Sequence, residues 1–414
     1  MGVLKHIAST LMPERLKQPL RSSSFRYLAV GKSISYLGDW LMVAVLVGWV
    51  YESTASVSQV ALLMAIRLVP PIVGGGLAAS LVDRLPRQRV LVWSEAACAA
   101  TIVGAIVGVS ADSRALVFAF VGLCGLVSMV STVAGNALIP MTVEQDELAA
   151  ANGLHAMGQE AAMALGAVAG GLTLALGGAT AGLTANLVSY SIALVLYVRI
   201  KVDEAPTRST RRRGGLVDGL HYVLSRRALA VVVGGFGLAT LATGLVNATL
   251  PKFTSNLGLG ASGYGWALAA LACGMMVGEA LTGAIAERIE ARWLGAGLAA
   301  MGCLFFAVAW SGSSLIALVL LTIFGVANGF TEVVMMTAIH QEAEATYQGR
   351  VFGVGSTIWR TTMLGAVALA PVVDAVASSA EAISVAAVVL LAGAVAVQVV
   401  LRPAPRRSRR LAAA

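Results

Sequence analysis

A run of about 20 apolar residues has the length of a helix that crosses the hydrocarbon core of a bilayer. This chain holds twelve such runs, at 28–50, 57–81, 90–110, 114–139, 149–177, 181–200, 228–250, 262–286, 293–311, 314–337, 352–374 and 382–401. A backbone in lipid must satisfy its own polar groups, so each run is read as a helix. The pattern predicts an all-α membrane protein with 12 transmembrane helices. Composition excludes the other classes. Only 12% of the residues are charged, against about 25% in soluble proteins, and 58% are hydrophobic, which is the opposite of disorder. Cys98, Cys124, Cys273 and Cys303 all lie in apolar runs. Their spacing matches neither a disulfide framework nor a metal site, so they are read as small packing residues.

Short polar turns such as Glu52-Ser53-Thr54 and Ser311-Gly312-Ser313 join most of the runs. The exception is 201–227, which is polar and contains Arg211-Arg212-Arg213. The chain therefore reads as a tail at 1–27, six spans at 28–200, a basic linker at 201–227, six spans at 228–401 and a basic tail at 402–414. The net charge of +8 raises the question of nucleic acid, but its distribution answers otherwise. Counting Lys32 with the tail and Arg199 with the loop after the sixth span, all the Lys and Arg except Arg67, Arg114, Lys252 and Arg360 fall in the tails or in the loops after even-numbered spans. By the positive-inside rule both termini are expected in the cytoplasm. Basic residues then serve orientation and contact with membrane lipid, and no nucleic-acid partner is expected. The first 26 residues are basic and amphipathic without an apolar core, so no signal peptide is expected.

The two halves echo each other. Asp83-Arg84-Leu85-Pro86-Arg87 follows the second span and Glu287-Arg288 follows the eighth. Leu-Gly-Ala-Val-Ala occurs at 165–169 and again at 364–368. Two matches in the same order point to parallel repeats, hence to two pseudo-symmetric six-helix bundles. An acid at a helix end can cap the positive end of a neighbouring helix, and the arginines can pair with acids across an interface. Glu144, Asp146 and Glu147 after the fourth span, and Glu342 and Glu344 after the tenth, are suitable partners. Asp83, Arg84, Arg87, Glu144, Asp146, Glu287 and Arg288 are therefore candidates for a cytoplasmic gate.

The Asp-Arg-x-x-Arg loop resembles the signature G-x-x-x-D-R-x-G-R-[RK] of the major facilitator superfamily, with Ala79, Pro86 and Gln88 at the departures. In the fifth span Gly153, Gly166, Gly170 and Gly171 fall in register with the glycine motif of the family's antiporters, and Ala162 and Ala167 replace a Gly and the Pro. Small residues there let helices pack closely. The chain over about 20–400 is similar to the enterobactin-exporter-like and macrolide-efflux-like bacterial exporters. The stretches that carry this are Ser35-Tyr36-Leu37-Gly38-Asp39-Trp40, Asn136-Ala137-Leu138-Ile139-Pro140, Ala151-Asn152-Gly153, Gly263-Tyr264-Gly265 and Gly349-Arg350-Val351-Phe352. The resemblance implies a major facilitator fold. Spans 1, 4, 7 and 10 would line a cavity, spans 2, 5, 8 and 11 would flank it, and the other four would face lipid.

An ionised side chain at mid-bilayer costs roughly 2.5–3.5 kcal/mol on insertion scales, so such residues should face a cavity or a partner. Six stand out: Asp39, Arg67, Glu160, Glu279, Glu332 and Arg360. None falls on a span assigned to lipid by the resemblance, and Glu95 on the third span is read as lying near its cytoplasmic end. A carboxyl in an apolar cavity is suited to carry a proton, which makes Asp39, Glu332 and Glu160 the proton-coupling candidates. Trp40, Arg67, Asn247, Glu279, Asn328 and Arg360 are the candidates for contact with substrate. Static ion pairs between helices are the competing role. His6, His155, His221 and His340 show no ligand spacing and are read as solvated or packing groups.

No Walker loop, zinc spacing or Ser-His-Asp set occurs, so neither an enzyme nor ATP-driven transport by this chain alone is expected. The reading is a secondary active transporter of a bacterial-type cell membrane, functional as a monomer and without a cofactor. It would export a small, partly lipophilic compound against a proton gradient. A lipid or lysolipid flippase on the same fold and an uptake symporter are the alternatives.

Overall fold

The computed structural model describes residues 17–202, 216–260, 262–283, 285 and 289–401. Among the described residues all regular structure is helical. The first four spans are α1 (Ser23–Thr54), α2 (Val57–Arg84), α3 (Arg87–Ser110) and α4 (Arg114–Thr142). The run Leu148–Val198 breaks at Gly178 into α5 (148–177) and α6 (179–198). Gly178 has φ 71° and ψ −173°, a conformation essentially confined to glycine. That one residue turns a 51-residue apolar stretch into two spans. A short helix, Leu216–Ser225, precedes α7 (Arg227–Asn256). The remaining spans are α8 (Gly263–Gly283), α9 (Trp293–Ala309), α10 (Ser314–Glu342), α11 (Ala345–Val376) and α12 (Ser379–Val400).

Twelve helices thus occupy the twelve apolar runs. Nine of the helical stretches among the described residues are long and apolar enough to cross a membrane, with α5 and α6 taken together. α9 and the Val57–Pro70 part of α2 are shorter apolar stretches. The first connection differs from expectation. Glu52, Ser53 and Thr54 remain helical, because Thr54 Oγ1 and Ser53 Oγ both donate to Val50 O (2.6 and 3.2 Å). The helix stops one residue later, at Ala55, whose φ is 49°.

Serines open several helices. Ser22, Ser56 and Ser113 each accept a backbone N–H of the following turn. Ser378 and Glu381 form a reciprocal pair, with Glu381 N donating to Ser378 Oγ at 3.3 Å and Ser378 N donating to Glu381 Oε2 at 2.7 Å. Such caps satisfy donors that the helix itself leaves open.

The helices form two compact units. The first holds the described residues up to 202 together with Leu250–Ala272, and the second holds 216–249 and the residues from Cys273 onward. In the first unit α1 packs along α5 and α6. A Cβ on Gly166 would stand 2.5 Å from Leu37 O, and one on Gly170 would stand 2.6 Å from Leu41 O. These glycines let α5 lie directly on the backbone of α1. Gly171 meets the backbone of Gly265 in the same way. Gly153 faces open space, so no close approach rests on it. Phe25, Leu28, Leu91, Leu138 and Tyr197 form the buried core at one end of this unit.

In the second unit α8 lies on α10, with Gly274 against Thr322 O and Gly278 against Val326 O. Phe305 of α9 stacks on Phe324 of α10, their centroids 3.9 Å apart. The short helix docks on α11, where Tyr222 stacks on Tyr347 at 4.1 Å.

Candidate functional site

The site grows from one face of α1. Lys32, Ser35, Tyr36 and Asp39 are spaced by three or four residues, which places them on the same side of a helix. Lys32 is 3% exposed. Its Nζ donates to Ser131 O on α4 (3.3 Å) and lies 5.1 Å from the Tyr36 ring centre. Ser131 Oγ in turn donates to Glu95 Oε2 on α3 at 2.7 Å. Glu95 is 1% exposed. One serine therefore joins a buried cation to a buried acid, offering its carbonyl to the first and its hydroxyl to the second.

One turn further along α1, Asp39 Oδ1 accepts a hydrogen bond from Tyr190 OH of α6 at 2.5 Å. Tyr190 is 1% exposed, and its oxygen also lies 3.5 Å from Cys124 Sγ. Asp39 interacts electrostatically with Arg67 of α2 and with Lys32. The Arg67 guanidinium sits 5.8 Å from the centre of the Trp40 ring. The result is a charged seam of two cations and two acids among α1, α2, α3, α4 and α6, where the acids take their hydrogen bonds from hydroxyl groups. Hydrogen bonding of that kind is what makes buried charge tolerable. Chemically, Asp39 is a carboxylate with a donor in place and two cations in range, an arrangement able to hold or release a proton.

The second unit treats its acids differently. Glu279 on α8 and Glu332 on α10 are both partly buried and act on each other electrostatically. Between them Gly329 lies against the backbone of Met275 and Glu279, and Asn328 Nδ2 reaches Met275 Sδ at 3.2 Å. Asn247 Oδ1 is buried, and no hydrogen-bond donor reaches it among the described residues. Arg360 is partly buried on α11 and Glu160 on α5.

Of the expected gate residues, Arg87 Nη1 reaches Ala137 O (3.4 Å) and Met141 Sδ (3.2 Å), which ties the α2–α3 loop to the end of α4. Arg84, Glu144 and Asp146 are exposed. Glu287 and Arg288 lie outside the described residues, as do the side chains of Asp83 and His340. His155 packs against Tyr36, with ring centres 6.3 Å apart, and its Nε2 pairs with Gln159 Nε2 at 3.4 Å.

Sequence reasoning brought forward Asp39, Trp40 and Arg67, which the fold gathers into one region. It missed Lys32, which it counted with the N-terminal tail, and it set Glu95 aside as a residue near a helix end. Both are buried within the helices. The signal for Lys32 was present, because it falls inside the first apolar run and at helical spacing from Asp39. Tyr190 and Ser131 had no signal of their own, since one tyrosine or serine in an apolar helix is ordinary.

The model of the Major Facilitator Superfamily matches residues 28–360 and, in a second match, 232–414. Multidrug efflux pump Tap of Mycobacterium tuberculosis is 24% identical over 377 residues, covering 87% of this chain and 90% of that one. The nucleoside transporter NupG, in a single-substitution form, superposes with a TM-score of 0.71 at 9% identity, over 92% of this chain and 100% of that one. The POT family transporter PepTSo gives 0.70 at 11% identity, over 92% and 97%. These structures share the fold. With the family model matched over most of its length, the chain belongs to the Major Facilitator Superfamily and is an integral membrane transporter.

Proposed function

We propose that this protein exports a small, partly lipophilic compound by alternating access, with protons moving inward as the driving current. Asp39 is the first choice for the proton carrier and Glu332 the second. The observation that carries this reading is the hydrogen bond from Tyr190 to Asp39 beside Lys32 and Arg67. An ionisable residue inside helices that cross a membrane marks a functional site by default, whatever it adds to stability. The name of Tap, a multidrug efflux pump, supports export of drug-like compounds. Trp40, Arg67, Asn247, Glu279, Asn328 and Arg360 are the proposed contacts for substrate.

The rest of the proposal follows the charge pattern. The halves at 28–200 and 228–401 alternate access to the transport pathway. The loops carrying Asp83, Arg84 and Arg87, and Glu287 and Arg288, close its cytoplasmic side. Both termini face the cytoplasm of a bacterial-type cell, the unit of function is one chain, and no cofactor takes part.

The test is transport in proteoliposomes with an imposed pH gradient and a panel of lipophilic drugs and siderophores. Wild-type protein is expected to move a member of the panel and to release protons as it does so. Asp39→Asn should abolish the gradient-driven component while counterflow of the same compound persists. Gradient-driven transport that survives in Asp39→Asn overturns the assignment. A requirement for the gradient in the uptake direction would favour a symporter.

A further inference from the structure

The surface of the first unit carries an apolar groove where α2, α3 and α4 meet. It encloses about 610 Å³, within the range of cavities that bury small ligands. Leu81, Leu85, Trp93 and Leu126 line it, and all four are exposed. In membrane-spanning helices, exposed apolar side chains meet lipid tails. Arg89 is the one charged residue in the lining, among the described residues, and it too is exposed. Ser94 also contributes, but its hydroxyl turns back to Leu91 O at 3.0 Å. α3 opens with Arg87 and Arg89 and has no acid in its first turn.

A second groove, of about 420 Å³, lies among α8, α9 and α10 of the second unit. Leu281, Ile285, Leu304 and Phe330 are among its lining residues, and no charged residue joins them among those described. The two grooves use corresponding helices of the two halves and differ in one chemical respect. The first has a guanidinium and an indole, and the second has neither.

We propose that the first groove binds one anionic phospholipid, with an acyl chain along its apolar wall and the headgroup phosphate on Arg89. A groove without charge accepts a lipid tail whatever its headgroup. A guanidinium adds forked, charge-assisted hydrogen bonds to phosphate and favours a headgroup of net negative charge. Trp93 is 73% exposed, and tryptophan settles at headgroup depth. It puts the Arg89 end of the groove where phosphates lie. The bound lipid is a resident of the outer surface and is not the transported compound, so the inference stands apart from the proposed export.

Quenching of tryptophan fluorescence by brominated acyl chains tests it. The full-length protein is placed in phosphatidylcholine vesicles, and brominated phosphatidylglycerol or brominated phosphatidylcholine is titrated in. The difference between wild type and Trp93→Phe isolates the signal of Trp93 from the other tryptophans. That signal should be half-quenched at a mole fraction about fivefold lower for the anionic lipid, the preference expected for about one basic residue near the membrane surface. Arg89→Gln should erase the preference and Arg89→Lys should keep most of it. Equal quenching by the two lipids overturns the proposal, and so does a preference that survives in Arg89→Gln.

Discussion

In the first unit, Asp39 feels the charges of Arg67 and Lys32, Glu95 feels those of Lys32 and Asp39, and the two acids receive hydrogen bonds from Tyr190 and Ser131. In the second, Glu279 and Glu332 bear on each other, and their seam is built of Gly329, Asn328 and the thioether of Met275. The ion pairs described in that unit stand at helix ends, Arg226 with Glu344 and Arg292 with Glu290, with side chains roughly half exposed. Buried charge in the first unit is balanced and therefore belongs to its architecture as much as to its chemistry. The acids of the second are partly buried with no cation among the described residues acting on them, and the unit loses little by neutralising them. This difference assigns distinct roles to residues that look alike in the sequence.

The largest effect is expected from removal of the buried cation. Lys32→Met leaves Glu95 with Ser131 and no ammonium behind it. Lys32 and Glu95 make no direct ion pair, but the ammonium's field bears on both Glu95 and Asp39, and leaving a buried group without its compensation costs about 1–3 kcal/mol, more where it is charged. Thermal unfolding in detergent should show a large loss, and Lys32→Met with Glu95→Gln should recover most of it. Glu332→Gln in the second unit should leave the same transition nearly in place. A fall as large as that of Lys32→Met would mean that the second unit also depends on its charge.

Tyr190→Phe comes next. It deletes the hydroxyl that donates to Asp39 and keeps the ring in its buried place. A hydrogen bond to a charged group contributes about 1.5–3 kcal/mol, so unfolding should shift by that order. Under the proposed function, the pH profile of coupled transport should shift as well. Loss of stability with an unchanged profile would make Tyr190 a structural partner alone and would move attention to Glu332.

Much of the fold was legible because lipid leaves few choices. Runs of apolar residues long enough to cross a bilayer become helices, and Gly177-Gly178 marks the break in the longest of them. The site was legible only in part. Asp39 and Arg67 announced themselves as charges in the middle of apolar runs. Lys32 did not, since a lysine a few residues inside a run reads as a tail charge until its partners on α3 and α4 are known. Glu95 was misplaced for a related reason. A helix assigned to lipid still has an inner face, and Glu95 lies on it. Ser131 and Tyr190 matter through contacts 36 and 151 residues away in the chain, which no local pattern records.

The smallest expected effect belongs to the exposed ion pair of the second unit. Arg226 Nη2 donates to Glu344 Oε1, with side-chain exposures of 42% and 59%. A pair in that much water is screened and contributes about 0–1 kcal/mol. Glu344→Gln removes the charge and leaves the backbone N–H of Glu344 on Tyr222 OH (3.0 Å) and the stack of Tyr222 on Tyr347. The short helix Leu216–Ser225 should therefore stay docked, and amide exchange over 216–225 should change little at either low or high salt. Faster exchange in Glu344→Gln, imitated in wild type by raising the salt, would show that charge and not ring stacking holds that helix. The second unit would then depend on electrostatics at its rim much as the first does in its interior, and the contrast between them would narrow to one of depth.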